Sequence, residues 1–87
     1  MDSRRNDIHR GHKANDILDP DSIVVEALEE LEKRYTNEWK TSKVDEVEKR
    51  EKSFMAVMVL QDIRVQLQTY ADRGKYAAKQ LQKEQLQ

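Results

Sequence analysis

Residues 44–81 read VDEVEKREKSFMAVMVLQDIRVQLQTYADRGKYAAKQL, and this stretch decides the fold. From Lys43 to Arg73 there is neither Pro nor Gly, and most positions carry strong helix formers such as Glu, Lys, Gln, Leu, Met and Arg. The pattern predicts one long helix. Ser42 stands where an N-cap belongs, with Asp45 three positions later as the acidic partner of a capping box. Asp45 with Lys49, Glu46 with Arg50 and Glu48 with Lys52 are acid-before-base pairs at i,i+4, each contributing about 0.2–0.5 kcal/mol on an exposed helix.

The apolar residues of the stretch define two faces. Ala56, Leu60, Ile63, Leu67 and Tyr70 recur at spacings of three and four, and Gly74, Ala77 and Leu81 extend the row. That row predicts the packing seam. Phe54, Met58 and Val65 point well away from Ile63 and Leu67 at about 100° per residue, so the middle of the helix is apolar on two sides. A helix of this kind needs more than one neighbour, which in a short chain means a small bundle, self-association, or both.

Working outward, Asp19-Pro20 is a helix start signal: an acidic cap accepts free N–H groups, and Pro fits a first turn whose N–H has no partner. A second helix is expected from Pro20 to about Lys40, with a seam of Ile23, Val24, Ala27, Leu28, Leu31, Tyr35 and Trp39. Tyr35 and Trp39, near the hairpin corner, read as core anchors, because both fall on that seam, or as an exposed hot spot for a partner, and the core reading is preferred. Only Thr41 and Ser42 remain for the connection, so the two helices fold back as a hairpin. Residues 1–19 are polar and charge-balanced, and Ile8, Ala14, Ile17 and Leu18 support a short amphipathic helix from about Asn6 to Leu18, weakened by Gly11 by about 1 kcal/mol relative to Ala.

The expected fold class is therefore all-α: an antiparallel helical hairpin over residues 20–74 with a long second arm, a polar segment at 1–19, and a Gln- and Lys-rich helical tail at 75–87. The arms differ in length, about 31 Å for Pro20 to Lys40 against about 46 Å for Lys43 to Arg73. Unless the N-terminal segment folds over it, the seam from Leu67 through Tyr70 to Leu81 lies bare and calls for another chain. Gly74 either ends the long helix or sits inside it where two helices approach closely.

Composition narrows the functional classes. The chain has 87 residues, no cysteine and a formal net charge of -1, with 38% charged residues of nearly balanced sign. One small domain fits that length, and its core is modest. Absence of cysteine removes disulfides, thiol nucleophiles and the common structural zinc sites. No apolar run reaches the roughly 18 residues of a membrane span, and MDSRRNDIHRGHK has no signal-peptide core, so a soluble protein made for the cell's interior, or for a particle assembled there, is expected. His9 and His12 at i,i+3 fall short of the three or four converging ligands a metal needs. Ser22 and Ser42 are explained by helix starts, carboxylates alternate with bases, and two glycines cannot build a phosphate loop, so no catalytic site or cofactor is expected.

Lys75, Lys79 and Lys83 form a stripe beside Tyr70 and Tyr76. On a domain without basic excess this points to an acidic protein surface and not to nucleic acid. The candidate partner-binding residues are accordingly Phe54, Met58, Val65, Leu67, Tyr70, Lys75, Lys79 and Lys83, facing a second copy of the chain or a larger protein.

Gly11-His12-Lys13-Ala14, Ile17-Leu18, Glu26-Ala27-Leu28, Trp39-Lys40, Glu48-Lys49-Arg50-Glu51, Leu60 to Ile63, Leu67 and Gly74-Lys75, in that order, resemble small helical proteins encoded in tailed-phage genomes. The resemblance spans most of the chain and implies a phage origin, without carrying over any functional residue. Small helical phage proteins include scaffolding and other virion-assembly factors, inhibitors of host enzymes and small DNA-packaging subunits, and the resemblance does not choose among them. The expected function is a non-enzymatic protein acting by helix-mediated virion assembly, with an inhibitor of a host enzyme and a small DNA-contacting packaging subunit as alternatives.

Overall fold

A computed structural model describes residues 2–86. Three helices follow in order: α1 Arg4–Leu18, α2 Ile23–Thr41 and α3 Val47–Gln85. Both α1 and α2 run antiparallel to α3 and lie end to end along it. The cross-helix neighbours fix the direction, since Arg4 meets Glu84, Gly11 meets Gly74, Glu32 meets Arg64 and Glu38 meets Ser53. The result is a rod of 65 × 24 × 17 Å. It is a hairpin whose first arm is broken once.

The break is local chemistry. Asp19 accepts the Asp21 N–H through Oδ1 at 2.8 Å, and its carbonyl accepts the Ser22 N–H, also at 2.8 Å. Ser22 then caps α2, its Oγ accepting the Val24 N–H at 3.2 Å. Asp19-Pro20 is thus a turn before the helix, and α2 begins three residues later than the Pro20 start expected. The buried face also differs from the expected seam: Val25 and Leu28 are buried, while Ile23, Val24 and Ala27 are exposed.

The second connection also departs from expectation. Ser42 closes α2 and does not open α3, its Oγ donating to the Trp39 carbonyl at 2.7 Å. Glu46 takes the part assigned to Asp45: its Oε1 accepts the Lys43 N–H at 2.9 Å and its Oε2 lies 3.7 Å from the Lys49 ammonium. The intervening turn places the first residue of α3 at Val47.

The short N-terminal helix is present as α1, starting two residues before Asn6, and it covers the distal seam. Gly11 and Gly74 face each other at the crossing, both buried. A Cβ on Gly11 would sit 2.9 Å from the Gly74 Cα and 3.1 Å from the Tyr70 carbonyl oxygen, and a Cβ on Gly74 would sit 2.9 Å from the Asp7 carbonyl oxygen. Only two glycines allow the backbones this close. Ala14, Ala71 and Ala77 are buried around them, so the contact is made by small side chains and backbone. Gly74 therefore sits inside α3, and residues 75–85 continue that helix without a break. Above the crossing, the Arg10 guanidinium lies 5.5 Å from the centre of the Tyr70 ring, a cation–π contact between α1 and α3.

A charged clasp closes the far end. Asp2 accepts the Arg4 N–H at 2.9 Å and pairs with the Arg4 guanidinium, which bonds Glu84 Oε1 at 2.6 Å and Oε2 at 3.0 Å. Hydrogen bonds from Arg4 hold the Asp2 carboxyl at about 2 and that of Glu84 below its usual range, while the two carboxylates raise the guanidinium. Depressed carboxylates stabilise the folded state above their unfolded values and lose that contribution as pH falls through the folded ones. Between about pH 4 and pH 2, the first turn of α1 is expected to loosen from α3. Amide exchange at Asp7 and Ile8 that rises there ahead of exchange in α2 checks this.

Candidate interaction surface

The heptad row Ser53, Leu60, Leu67, Gly74 and Leu81, flanked by Val57, Arg64 and Ala71, forms the covered side of α3, buried or half-buried throughout. The expected seam included Ile63, which is instead 42% exposed, and excluded Arg64. Arg64 lies on the covered side because its Nε donates to Glu32 Oε1 at 2.6 Å, with both side chains largely shielded. Its stem then covers apolar surface that a leucine would otherwise fill. Ser53 is buried for a related reason: it is small where α2 comes close, and its Oγ donates to Glu38 Oε2 at 3.4 Å.

The candidate partner-binding residues separate into two groups. Leu67 and Tyr70 are half-buried on the face that α1 covers. The expectation of a bare distal seam is therefore corrected: α1 supplies the cover that a second chain was expected to supply. Phe54, Met58, Val65, Lys75, Lys79 and Lys83 are all exposed. Phe54 is 54% exposed and Val65 64%. Successive positions Val47, Glu51, Phe54, Met58, Gln61, Val65, Thr69, Asp72, Tyr76, Lys79 and Lys83 recur at spacings of three and four, so they follow one outer stripe of α3. Lys75 lies at its edge.

Further exposed apolar residues adjoin the stripe. Trp39 is 40% exposed at the rim of the hairpin and not a core anchor. With Val47, Arg50, Glu51 and Phe54 it lines a shallow groove of about 260 Å³ beside the stripe. Met55 and Val59 extend the exposed apolar surface around α3, and Val44 stands out from the connecting turn. Trp39 is the last residue on the apolar row of α2, and beside the first turns of α3 it stays 40% exposed.

No family model, curated protein or solved structure matches the chain. The reading of the surface accordingly rests on its own chemistry. Among the described residues no group of three or more His, Asp or Glu converges as a metal site, and no helix is long and apolar enough to cross a membrane. His9 and His12 are exposed on α1. What the molecule presents is a long helix face with an apolar middle at one end and lysines at the other.

Proposed function

We propose that this protein is a non-enzymatic interaction protein whose working surface is the outer stripe of α3, and that its setting is virion assembly. The observation that carries the reading is the exposure of Phe54, Met58 and Val65 on one helix face after both other helices have been used to cover the opposite one. Three large apolar side chains in line, with Val47 and Trp39 continuing the patch, leave surface that a stable partner would remove from water at about 25 cal/mol per Å². The lysines at 75, 79 and 83 extend the face with positive charge that suits an acidic protein surface and speeds its encounter.

Phe54→Ser with Val65→Ser is the informative variant, because both positions are exposed and the helix should persist. From infected cells, the tagged wild-type protein is expected to bring down capsid or procapsid protein, and the double variant to lose it at unchanged helicity. Charge reversal at the three lysines is expected to weaken the same link with a clear salt dependence. Capture of one host enzyme from uninfected lysate would replace the assembly reading by inhibition. Tight duplex binding without a protein partner, falling steeply with salt, would replace it by a DNA-contacting role.

A further inference from the structure

The stripe has a polarity that its apolar content alone does not reveal. Val47, Glu51, Phe54 and Met58 lie on its N-terminal half, and Asp72, Tyr76, Lys79 and Lys83 on its C-terminal half, with Val65 between them. Turned end for end about Val65, the sequence of the stripe complements itself. Phe54 then faces Tyr76, Glu51 faces Lys79, Val47 faces the stem of Lys83, and Val65 faces its own copy.

We infer that the occupant of the stripe is a second copy of this chain, docked antiparallel on α3 with the two-fold axis at Val65. This rests on the reading of the stripe as the working surface: the second copy holds it in the protein on its own, as a reversible dimer, and a capsid partner that takes the same face does so in exchange for that copy. The groove lined by Trp39, Val47 and Phe54 receives the Tyr76 ring of the second copy, and Glu51 at its edge receives the Lys79 ammonium. Tyr76 is suited to the part, being 65% exposed on a turn of α3 where α1 covers only the opposite side. Its hydroxyl accepts a hydrogen bond from Gln80 Nε2 at 2.9 Å, which orients the phenol along the helix.

Charge selects this arrangement over its neighbours. A parallel pair would set Glu51 against Glu51 and each lysine against itself. Sliding the antiparallel pair by one heptad in one direction sets Glu51 against Asp72, and in the other sets Phe54 and Met58 against Lys83 and Lys79. In the Val65 register the weakest layer is Met58 with Asp72, and that carboxylate is already bonded by Gln68 Nε2 of its own helix at 3.0 Å. The contact runs about 54 Å along α3 and, at a helix width of about 10–12 Å, covers about 550–650 Å² of each chain. That lies just below the standard interface of about 800 Å² per partner and fits a reversible dimer. Lys75 lies outside the seam and is left for a larger partner.

The chain has no cysteine, so introduced thiols report the register without interference. Under mild oxidation Val65→Cys is expected to give a disulfide-linked dimer, and an equimolar mixture of Phe54→Cys and Tyr76→Cys to give the mixed dimer, while neither of the latter two crosslinks alone. Glu51→Lys is expected to weaken association of the cysteine-free protein by roughly tenfold in sedimentation equilibrium, and Glu51→Lys with Lys79→Glu to restore it. Self-crosslinking of Phe54→Cys would overturn the antiparallel pairing. Crosslinking between Met58→Cys and Val65→Cys, without a Val65→Cys dimer, would overturn the register. A wild-type monomer at 100 μM would overturn self-docking altogether. Loss of capsid capture in Phe54→Ser with Val65→Ser would in that case still support the stripe as the surface for a different protein, so the two readings fail separately.

Discussion

Gly74→Ala is expected to destabilise the protein, although alanine is the better helix former by about 1 kcal/mol. The new Cβ would stand 2.9 Å from the Asp7 carbonyl oxygen and 3.0 Å from the Gly11 Cα, and both are backbone atoms of α1 that cannot turn aside. Relief requires α1 to move off α3, which opens the packing of Ala14, Ala71 and Ala77. Overpacking of this kind costs about 1–3 kcal/mol, so the net loss, after the helix gain of about 1 kcal/mol is subtracted, is expected to reach up to about 2 kcal/mol. In a domain of this size each kcal/mol lost lowers the melting temperature by roughly 4–8 °C. Gly74→Leu is expected to release α1 outright, with fast amide exchange from Arg4 to Leu18 while the α2–α3 hairpin stays protected. Thermal melts followed by circular dichroism check the first variant. A rise in stability on Gly74→Ala would mean that the backbones do not touch.

Leu60→Asp is expected to unfold the chain and Ile63→Asp to leave it folded. Leu60 is 8% exposed on the covered row of α3, facing α2. Removing a buried leucine costs about 2–5 kcal/mol through lost transfer and the cavity. A carboxyl group without a partner adds a further penalty and must stay protonated to remain there. At about 0.05–0.15 kcal/mol per residue, the total stability of a chain this short is of the same order. Ile63 lies only three residues away, but it is exposed enough for a carboxylate to reach water, and a change within about 1 kcal/mol is expected. Denaturant unfolding of the two variants separates the predicted seam, which contained Ile63, from the observed one, which contains Arg64 instead.

That contrast shows how far the sequence could be read. The long helix, the hairpin and the all-α class follow from residues 44–81 because hydrophobic period and helix propensity agree there. The rotation of the seam was not legible. Arginine in isolation reads as a solvent residue, and only the opposed Glu32 makes position 64 part of the covered row. Gly11 misled for a similar reason. As a local residue it weakens a helix, and that cost was assigned to α1 without the return it secures, since no other residue permits the approach to Gly74. Helix starts were displaced because Asp19, Ser22, Ser42 and Glu46 all have capping chemistry, and which of them acts depends on where the turns close.

The candidate surface was half legible. Phe54, Met58 and Val65 were separated from the seam by angle alone, and they are exposed. Leu67 and Tyr70 were drawn into the surface by the length mismatch of the arms, an argument that fails once α1 is a helix long enough to lie over them. Trp39 was assigned to the core by its place in the period of α2, although the last turn of a helix near a tight connection commonly lacks a facing partner.

The account depends on α1 closing the distal seam, because only then is the outer stripe of α3 the surface left to function. The crossing itself gives the most direct test. In the NMR spectrum of the full chain, the α-protons of Gly11 and Gly74 are predicted to show a strong mutual NOE, with a second set linking Gly74 to Asp7 and Ile8. An assigned, helical α1 with no NOE to Gly74 would contradict the account and return Leu67, Tyr70 and Leu81 to the surface.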